Sequence, residues 1–385
     1  MGRKICVVTS LLLCVFLLRI PSPSSSSIED TYPWNLEMIG AENAHHITRG
    51  SANVTVAVID SGIDFSIADL AGREWLNPLE IPNNGLDDDS NNYIDDVRGW
   101  DFVENDFNPS PVPSGHWHGT FVAGILSAQE GGRIDLLGIA PGIKIMDLRV
   151  LDANNAFSAE DWPNLAAAFY YATDMGASVI NFSIYSYGPP PSFFLEAVEY
   201  ARDNDVFIVG ITGNNFEGEE DNSIQYPGKY DAIMAVSAVS TDASHIYWSR
   251  EGPENEICAP GNGIQSTVPS TMLPFTGMGT SFAAPLVAGT AALIRSVNAN
   301  LSASHVRDLL KQTATDLGDP GRDDVYGWGL LNASLAVQRA VNASVSDENP
   351  TTSSSPHLGL KCWLTILFVF LGVLSLRHKR RTDLQ

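Results

Sequence analysis

The sequence is poor in cysteine, with four in 385 residues. Cys6 and Cys14 lie in an apolar run at the N-terminus, and Cys362 lies in another near the C-terminus. The chain between these runs keeps Cys258 alone, which excludes an internal disulfide there. We expect Cys258, in its apolar setting, to be a small buried residue. The stability of this central part must then come from its apolar core or from bound metal.

Basic residues are also scarce: 22 Lys and Arg against 45 Asp and Glu give a formal net charge of −23. Four of the basic residues lie in the last nine positions, so the rest of the chain is more acidic still. A nucleic-acid-binding protein needs a positive surface facing the phosphates, and this composition argues against one. The carboxylates are instead available to bind cations or to keep the protein soluble.

Apolar runs with basic residues beside them lie at the two ends of the chain. At the N-terminus, Arg3 and Lys4 precede a mainly apolar run, 5–18, which Pro and Ser residues follow. Its fourteen residues are too few to span a membrane comfortably, so 1–26 is predicted to be a secretory signal peptide. An uncleaved membrane anchor is the alternative.

The C-terminal apolar segment, 358–376, is nineteen residues long and ends at a basic cluster. At ~1.5 Å per residue, a helix of this length just crosses the hydrocarbon core of a membrane. We therefore predict a transmembrane segment, with 377–385 as a basic cytoplasmic tail and the preceding chain facing outward. The Ser, Thr and Pro residues of 346–357 are typical of a flexible linker. The same pattern fits a sorting segment that is removed after export, which would leave the protein secreted.

Between these ends, short β-branched runs alternate with helical patterns. The run VTVAVID, 54–60, is typical of a strand that is buried on both faces of a sheet. Further strands are predicted at 143–150, 177–184, 205–212 and 232–239. The alternation predicts an α/β fold with three α/β/α layers around a mainly parallel central sheet. In such sheets, active sites lie at the carboxyl ends of the strands.

Three short motifs fall at loop positions of this sheet and carry candidate catalytic residues. They are Asp60 in IDSGID, His118 in HGTFVAG and Ser281 in GTSFAAPLVAG. Each has a structural alternative, since Asp60 can cap a helix and His118 can be a core histidine. Ser281 can be the N-cap of a helix that tolerates Pro285 in its first turn. Together they indicate chemistry, because a Ser hydroxyl needs a His to take its proton and that His needs a carboxylate to orient it.

These motifs together resemble those of the subtilisin-like serine proteases, which share the order Asp, His, Ser along the chain. The resemblance extends to VINFS, ITGNN, YPGKYDAIMAVSAVS, CAPG and YGWGLLN. It implies a peptidase domain over 33–345 with the subtilisin-like fold, Ser281 as nucleophile, His118 as general base and Asp60 as its orienting carboxylate. It also implies that the Asn214 side chain and the Ser281 N–H form the oxyanion hole. Without the resemblance, Asn214, between Gly213 and Asn215, would be interpreted first as a turn residue.

Some departures from the family pattern limit what the resemblance can transfer. Tyr185 stands where relatives have a glycine in the strand that pairs with substrate, and its ring would crowd or reshape the cleft. The specificity pocket is therefore not transferred. Phe121 and Leu286 replace a second His in the His and Ser motifs. We expect both to be packing residues without effect on the chemistry.

An acidic stretch between the Asp and His motifs is a candidate metal site. Asp87, Asp89, Asn91, Tyr93 and Asp95 alternate along the chain, a spacing at which a loop turns oxygen ligands towards one hard cation. The stretch lacks the closing Glu and the central Gly of an EF-hand, so only its spacing is EF-hand-like. Relatives bind calcium in a similar insert, and the resemblance therefore implies one structural Ca²⁺ site here, with a second site left open. A solvated acidic loop is the alternative.

These features together predict an exported serine endopeptidase, membrane-anchored or secreted, that hydrolyses protein or peptide substrates through an acyl-enzyme. Two other functions are compatible with the sequence. One is a calcium-dependent surface-binding protein on a protease scaffold that has lost its activity, and the intact catalytic residues argue against it. The other is a serine esterase or peptide ligase that uses the same three residues.

Overall fold

The computed structural model describes residues 32–111, 117–134 and 136–343. The signal peptide, linker, membrane segment and cytoplasmic tail predicted from the sequence lie outside these residues. In chain order, the helices α1 to α8 are Trp34–Met38, Ala41–Ile47, His118–Ser127, Trp162–Asp174, Ser192–Asp203, Thr280–Val297, Ala303–Thr313 and Ala333–Asn342. The strands β1 to β9 are Thr55–Asp60, Gly99–Asp101, Lys144–Arg149, Val179–Phe182, Phe207–Ile211, Ile233–Val239, Asn255–Pro260, Asn262–Gln265 and Thr276–Met278. A short 3₁₀ helix, Ala68–Leu70, follows β1.

Seven strands form one sheet in the order β2-β3-β1-β4-β5-β6-β7, with parallel pairing throughout. Alternate residues of β1 face opposite sides of this sheet. Val56 and Val58 lie in a core shared with α3 and α6, whereas Ala57 and Ile59 lie in a core shared with α4 and α5. The chain therefore has the predicted α/β fold, with helices on both faces of a parallel sheet. A separate antiparallel pair joins β8 to β9.

The order of the strands reverses direction at β1. Strands β2 and β3 are added on one side of β1, and β4 to β7 follow on the other side. In open parallel sheets, such a reversal leaves a crevice beyond the carboxyl ends of the strands, where ligands bind. Asp60 is the last residue of β1, so the fold places it at this edge.

Helix α6 runs through the larger of the two cores. Nearly all of its residues are buried, and it packs against α3 and the strands from β4 to β7. In the described part of the chain, α6 is the one helix long and apolar enough to cross a membrane, and burial in this core accounts for its apolar composition. Cys258 on β7 is also fully buried, which confirms the expectation for that residue.

Candidate active site

Asp60 and His118 are in direct contact where the end of β1 meets the start of α3. His118 Nδ1 lies 2.9 Å from both Oδ1 and Oδ2 of Asp60, and the two side chains are buried. The Ser61 N–H donates to Asp60 Oδ1 at 2.7 Å. Because a carboxylate only accepts hydrogen bonds, the Nδ1 of His118 carries the proton. The other ring nitrogen, Nε2, is then left as a base.

Close packing between α3 and the loop after β1 fixes the position of His118. The Gly119 N–H donates to Ser61 Oγ at 3.0 Å. A Cβ atom on Gly119 would lie 2.5 Å from the carbonyl oxygen of Gly62, so no larger residue fits without moving the backbone. The glycine that follows His118 in the sequence motif is therefore required by this approach of helix and loop.

Ser281 is the second residue of α6, and Gly279 occupies the N-cap position, so the N-cap alternative for Ser281 is wrong. Its hydroxyl donates to the Ser183 carbonyl at 3.3 Å, and its exposed fraction is 8%. The ring of the next residue, Phe282, lies 5.7 Å from the His118 ring between centroids. Ser281 thus lies at the same edge of the sheet as His118, with its hydroxyl proton directed to Ser183.

Ser183 also donates a hydrogen bond in the opposite direction, from its hydroxyl to the Ser281 carbonyl at 3.1 Å. In a regular helix that carbonyl accepts from the N–H four residues later, but this position is Pro285, which has no N–H. Pro285 is the sixth residue of α6, beyond the first turn suggested by the sequence. Ser183 supplies the missing donor and joins the end of β4 to the start of α6.

Asn214 follows β5 after a turn at Gly213, whose φ is 97°. Its Oδ1 accepts from the Thr280 N–H at 2.9 Å and from the Thr280 hydroxyl at 3.0 Å. These two bonds fix the amide with its oxygen against the start of α6. The Nδ2 end of Asn214 is then available as a donor close to Ser281, the neighbour of Thr280.

The acidic loop before β2 contains a group of carboxylates that could hold a metal ion. One oxygen from each of Glu80, Asp87 and Asp89 lies within 4.8 Å of the others. Glu80 is 7% exposed, its Oε1 accepts from the Asp88 N–H at 2.8 Å, and its Oε2 has no hydrogen-bond partner. Burial raises the pKa of Glu80 above its ordinary value. A buried carboxylate oxygen without a partner fits a hard divalent cation such as Ca²⁺.

The side chains of the other three predicted calcium ligands have further partners, and the Asn91 N–H donates to Asp87 Oδ1 and Asp89 Oδ1 at 3.0 Å each. Asn91 Oδ1 accepts from the Tyr93 N–H at 2.7 Å, and Asn91 Nδ2 donates to Asp96 Oδ2 at 2.8 Å. The Tyr93 ring packs edge-on against aromatic rings of the smaller core. The Asp95 carboxylate accepts from two backbone N–H groups earlier in the loop, at 3.0 and 2.9 Å. Sequence reasoning missed Glu80, because it precedes the alternating stretch by seven residues.

A further buried acid, Asp147 on β3, lies close to the site and was not predicted. Its Oδ2 accepts from the Ile63 N–H at 2.9 Å, in the loop that follows Asp60. Burial raises the pKa of Asp147 well above its ordinary value, and the carboxylates of Asp101 and Asp60 act in the same direction. We therefore expect Asp147 to keep its proton under conditions in which ordinary carboxyl groups are ionised.

Comparison with known proteins identifies the family of this chain. The family model described as the subtilase family matches residues 51–329. The chain belongs to the subtilase family. Subtilisin DY from Bacillus licheniformis is 35% identical over 310 residues, which cover 80% of this chain and 99% of that protein. Subtilisin Savinase from Lederbergia lenta is 34% identical over 308 residues, covering 80% of this chain and 98% of that protein. Subtilisin E from Bacillus subtilis (strain 168) is 33% identical over 308 residues, which cover 80% of this chain and 71% of that protein.

This subtilase is accordingly a serine-type endopeptidase. Two of its departures from the usual motifs, Phe121 and Leu286, are fully buried, which confirms them as packing residues. Tyr185, at the position of the usual glycine, is half-buried, and its ring lies 5.9 Å from that of Tyr187. The segment after β4 therefore has a large aromatic side chain two residues from Ser183, at a position where the family usually has a glycine.

Proposed function

We propose that Ser281, His118 and Asp60 are the catalytic triad of this endopeptidase. The observation that carries the proposal is the bond from His118 Nδ1 to both carboxylate oxygens of Asp60, which leaves Nε2 as a base next to α6. For reaction, the Ser281 hydroxyl turns from the Ser183 carbonyl to His118 Nε2. The hydroxyl loses its proton to His118 as the oxygen attacks the carbonyl carbon of the substrate.

The negative charge that develops on the substrate oxygen needs donors fixed in advance. The Ser281 N–H lies at the start of α6, and Asn214 Nδ2 is oriented by the two bonds between Asn214 Oδ1 and Thr280. In this proposal both donate to the oxyanion. His118 then protonates the leaving amine, and water repeats the sequence to release the acyl group from Ser281.

We also propose that one structural calcium ion is bound by Glu80, Asp87 and Asp89. The support is the closeness of their oxygens and the buried Glu80 Oε2, which lacks a hydrogen-bond partner. The ion would neutralise repulsion among the carboxylates and hold the acidic loop against β2. It takes no part in the chemical steps.

We also propose that the peptidase is exported and is either anchored in the membrane or released. The predicted signal peptide, 1–26, and the predicted membrane segment, 358–376, would place the peptidase outside the cell, tethered or released. The substrates are proteins or peptides, as membership of the family implies. The net charge of −23 argues against nucleic acid as a partner.

The test of the triad is covalent labelling of the full chain, purified in mild detergent, with a fluorophosphonate probe. We expect the wild-type chain to be labelled and the Ser281→Ala variant to remain unlabelled and without peptide hydrolysis. Labelling without hydrolysis of any peptide, but with turnover of esters or transfer to acyl acceptors, would favour an esterase or ligase. A folded wild-type chain that is never labelled would contradict the triad.

A further inference from the structure

Three exposed asparagines lie in the triplet Asn-X-Ser or Asn-X-Thr, the acceptor sequence for N-linked glycans. They are Asn53 in NVT, Asn300 in NLS and Asn342 in NAS. A glycan is bulky and polar, so a folded protein can carry one only where the Asn side chain reaches the surface. Exposure therefore makes these three residues candidate modification sites.

Two further acceptor triplets, at Asn181 and Asn332, lie in packed parts of the fold. Asn181 on β4 is fully buried, and its Nδ2 donates to the Ser183 hydroxyl at 3.0 Å. Asn332 is half-buried at the N-cap of α8, where its Oδ1 accepts from the Leu335 N–H at 2.9 Å. Both side chains are used by the fold, and they serve as internal controls for the three exposed ones.

The C-terminal end of α6 brings Asn53 and Asn300 to the same part of the surface. The Ser51 N–H donates to Ser296 Oγ, in the last turn of α6, at 3.0 Å. The Asn53 N–H donates to Ser51 Oγ at 3.2 Å, so Asn53 lies in a turn that is attached to the end of this helix. Just beyond the helix, the Asn300 N–H donates to Asn298 Oδ1 at 3.3 Å. Two residues far apart in the sequence are thus held at one helix end.

The same helix end also holds the end of α8, where Asn342 lies. Asn298 Nδ2 donates to the Ala340 carbonyl at 3.2 Å and to the Ala343 carbonyl at 3.0 Å. These two carbonyls flank Asn342, the last residue of α8. The side chain of Asn298 therefore joins the turn after α6 to the end of α8. The three exposed asparagines form one group, which we call the acceptor cluster: Asn53, Asn300 and Asn342.

The acceptor cluster lies at the edge of the sheet opposite to the catalytic residues. Asn53 precedes the first residue of β1, whereas Asp60 is the last residue of that strand. Ser281 lies in the first turn of α6 and Ser296 in its last turn. At ~1.5 Å per residue, the helix separates these two serines by about 22 Å. Glycans on the acceptor cluster would leave the catalytic edge uncovered.

We infer that Asn53, Asn300 and Asn342 are acceptor sites for N-linked glycans. The inference rests on the proposed export, because an exported chain meets the sugar donor, a polyprenyl-diphosphate-linked oligosaccharide, as it crosses the membrane. In the transfer, the Asn Nδ2 forms a bond to C1 of the first sugar, and the bond from C1 to the diphosphate oxygen breaks. The amide loses one proton, and the lipid diphosphate leaves with the bonding electron pair. Nothing is oxidised or reduced.

The test is peptide mass analysis of the full chain, purified in mild detergent from the cells that naturally produce it. We expect the peptides that contain Asn53, Asn300 and Asn342 to carry sugar. The peptides that contain Asn181 and Asn332 should have their unmodified masses, because those side chains are packed in the fold.

Substitution of the third residue of one triplet separates the sugar from the asparagine itself. Ser344→Ala removes the acceptor sequence of Asn342 but keeps the asparagine, and this variant should be lighter than the wild type by one glycan. Ser344→Thr keeps the acceptor sequence and should match the wild type. Both variants should react with the fluorophosphonate probe as fast as the wild type, because Asn342 lies at the edge opposite to Ser281. A changed rate in Ser344→Ala alone would contradict this separation.

Asn342→Gln has a matched control in Asn204→Gln. Asn204 is also exposed at the end of a helix, and its Nδ2 donates to the Tyr200 carbonyl at 2.8 Å. Asn342 Nδ2 likewise donates to the Gln338 carbonyl, at 3.3 Å. Asn204 does not lie in an acceptor triplet. The Asn342→Gln variant should therefore lose one glycan, and the Asn204→Gln variant should lose none.

The location of the chain distinguishes failure of this inference from failure of the proposed export. The chain is tested on intact cells with a membrane-impermeant amine reagent, and the medium is tested for released protein. A chain found outside the cell whose three peptides all have unmodified masses would overturn this inference and leave export intact. A chain that is neither labelled on intact cells nor present in the medium would overturn export and, with it, this inference.

Discussion

At the scale of single residues, the proposed chemistry depends on side chains that are each held by more than one bond. His118 faces both oxygens of Asp60, and Asn214 accepts two bonds from Thr280. Such bonds restrict the rotamers before substrate arrives, so little reorganisation is needed as charge develops. The buried acid Asp147 has no proposed part in the chemistry, and burial opposes its ionisation by raising its pKa.

The Asn214→Asp variant distinguishes the role of the amide oxygen from that of the amide nitrogen. The new carboxylate can still accept from Thr280, but it offers no donor to the oxyanion and adds negative charge. We expect kcat to fall by about 10²–10³-fold or more, a range measured for loss of this kind of donor in subtilisin, a relative of this chain. KM and the melting temperature should change little. A kcat within a few fold of wild type would remove Asn214 from the oxyanion hole.

Ser183→Ala tests the bond that replaces the donor missing at Pro285. The Ser281 carbonyl would be left without the Ser183 hydroxyl, and the expected loss is about 1–3 kcal/mol of unfolding free energy. Adding Pro285→Ala restores a backbone N–H four residues after Ser281, so the double variant should recover part of this loss. The measurement is denaturant unfolding with all variants in a Ser281→Ala background, which prevents self-digestion. Additive effects of the two substitutions would contradict the account.

Asp147→Asn is expected to stabilise the protein increasingly as pH rises. The folded-state pKa of Asp147 is raised, so above the ordinary value of 3.8 the unfolded chain releases a proton that the folded chain keeps. This acid therefore lowers the stability of the wild type as pH rises towards its folded-state pKa, by up to about 1.4 kcal/mol per pH unit. Asn has no proton to release. Melting temperatures from pH 4 to 8 should diverge in favour of the variant, and parallel curves would argue against a protonated Asp147.

At the scale of elements, the sequence predicts long apolar runs better than short or polar strands. The five predicted strands correspond to β1, β3, β4, β5 and β6. Strand β2 has three residues, and β7, with the sequence NEICAP, starts with polar residues and ends in proline. Neither strand has an alternation of apolar and polar residues long enough to be recognised from the sequence alone. Both are strands because they pair with a neighbouring strand, β2 with β3 and β7 with β6.

The acidic loop is the element whose stability should depend on calcium. Saturation with the ion at a hundred times its dissociation constant stabilises a protein by about 2.7 kcal/mol. Chelation should therefore lower the melting temperature of the wild type by several degrees. The Glu80→Gln variant should respond much less, and Glu196→Gln, an exposed acid on α5, should respond like the wild type. An equal response of both variants would place the ion elsewhere.

At the scale of the whole molecule, the N-terminal helices are attached to parts of the fold that are distant in the chain. Helix α2 packs against α8, and His45 on α2 bridges two other segments. His45 Nε2 donates to the Ile139 carbonyl at 2.7 Å, and Nδ1 accepts from the Tyr32 hydroxyl at 2.6 Å. Both ring nitrogens are therefore used by the neutral form.

This arrangement predicts a loss of stability in mild acid. Burial lowers the pKa of His45 below its ordinary value of 6.5, so below that pH the unfolded state binds a proton that the folded state does not. The contribution of His45 is fully present above about pH 6.5 and is lost as pH falls towards the folded-state pKa. The His45→Gln variant should show a shallower decline in melting temperature between pH 7 and 5. A decline as steep as that of the wild type would assign the acid sensitivity to other groups.

The sequence by itself determined the fold class, the family and the identity of the candidate catalytic residues. These features are encoded locally, in apolar periods along single strands and in short glycine-flanked motifs such as HGT and GTS. Tertiary structure decided which separate motifs share one site. It grouped Glu80 with Asp87 and Asp89, and it directed the Asp95 carboxylate to backbone N–H groups earlier in the loop. The physical reason is that hydrogen bonds and burial between residues far apart in the chain exist only once the sheet has brought its strand ends together.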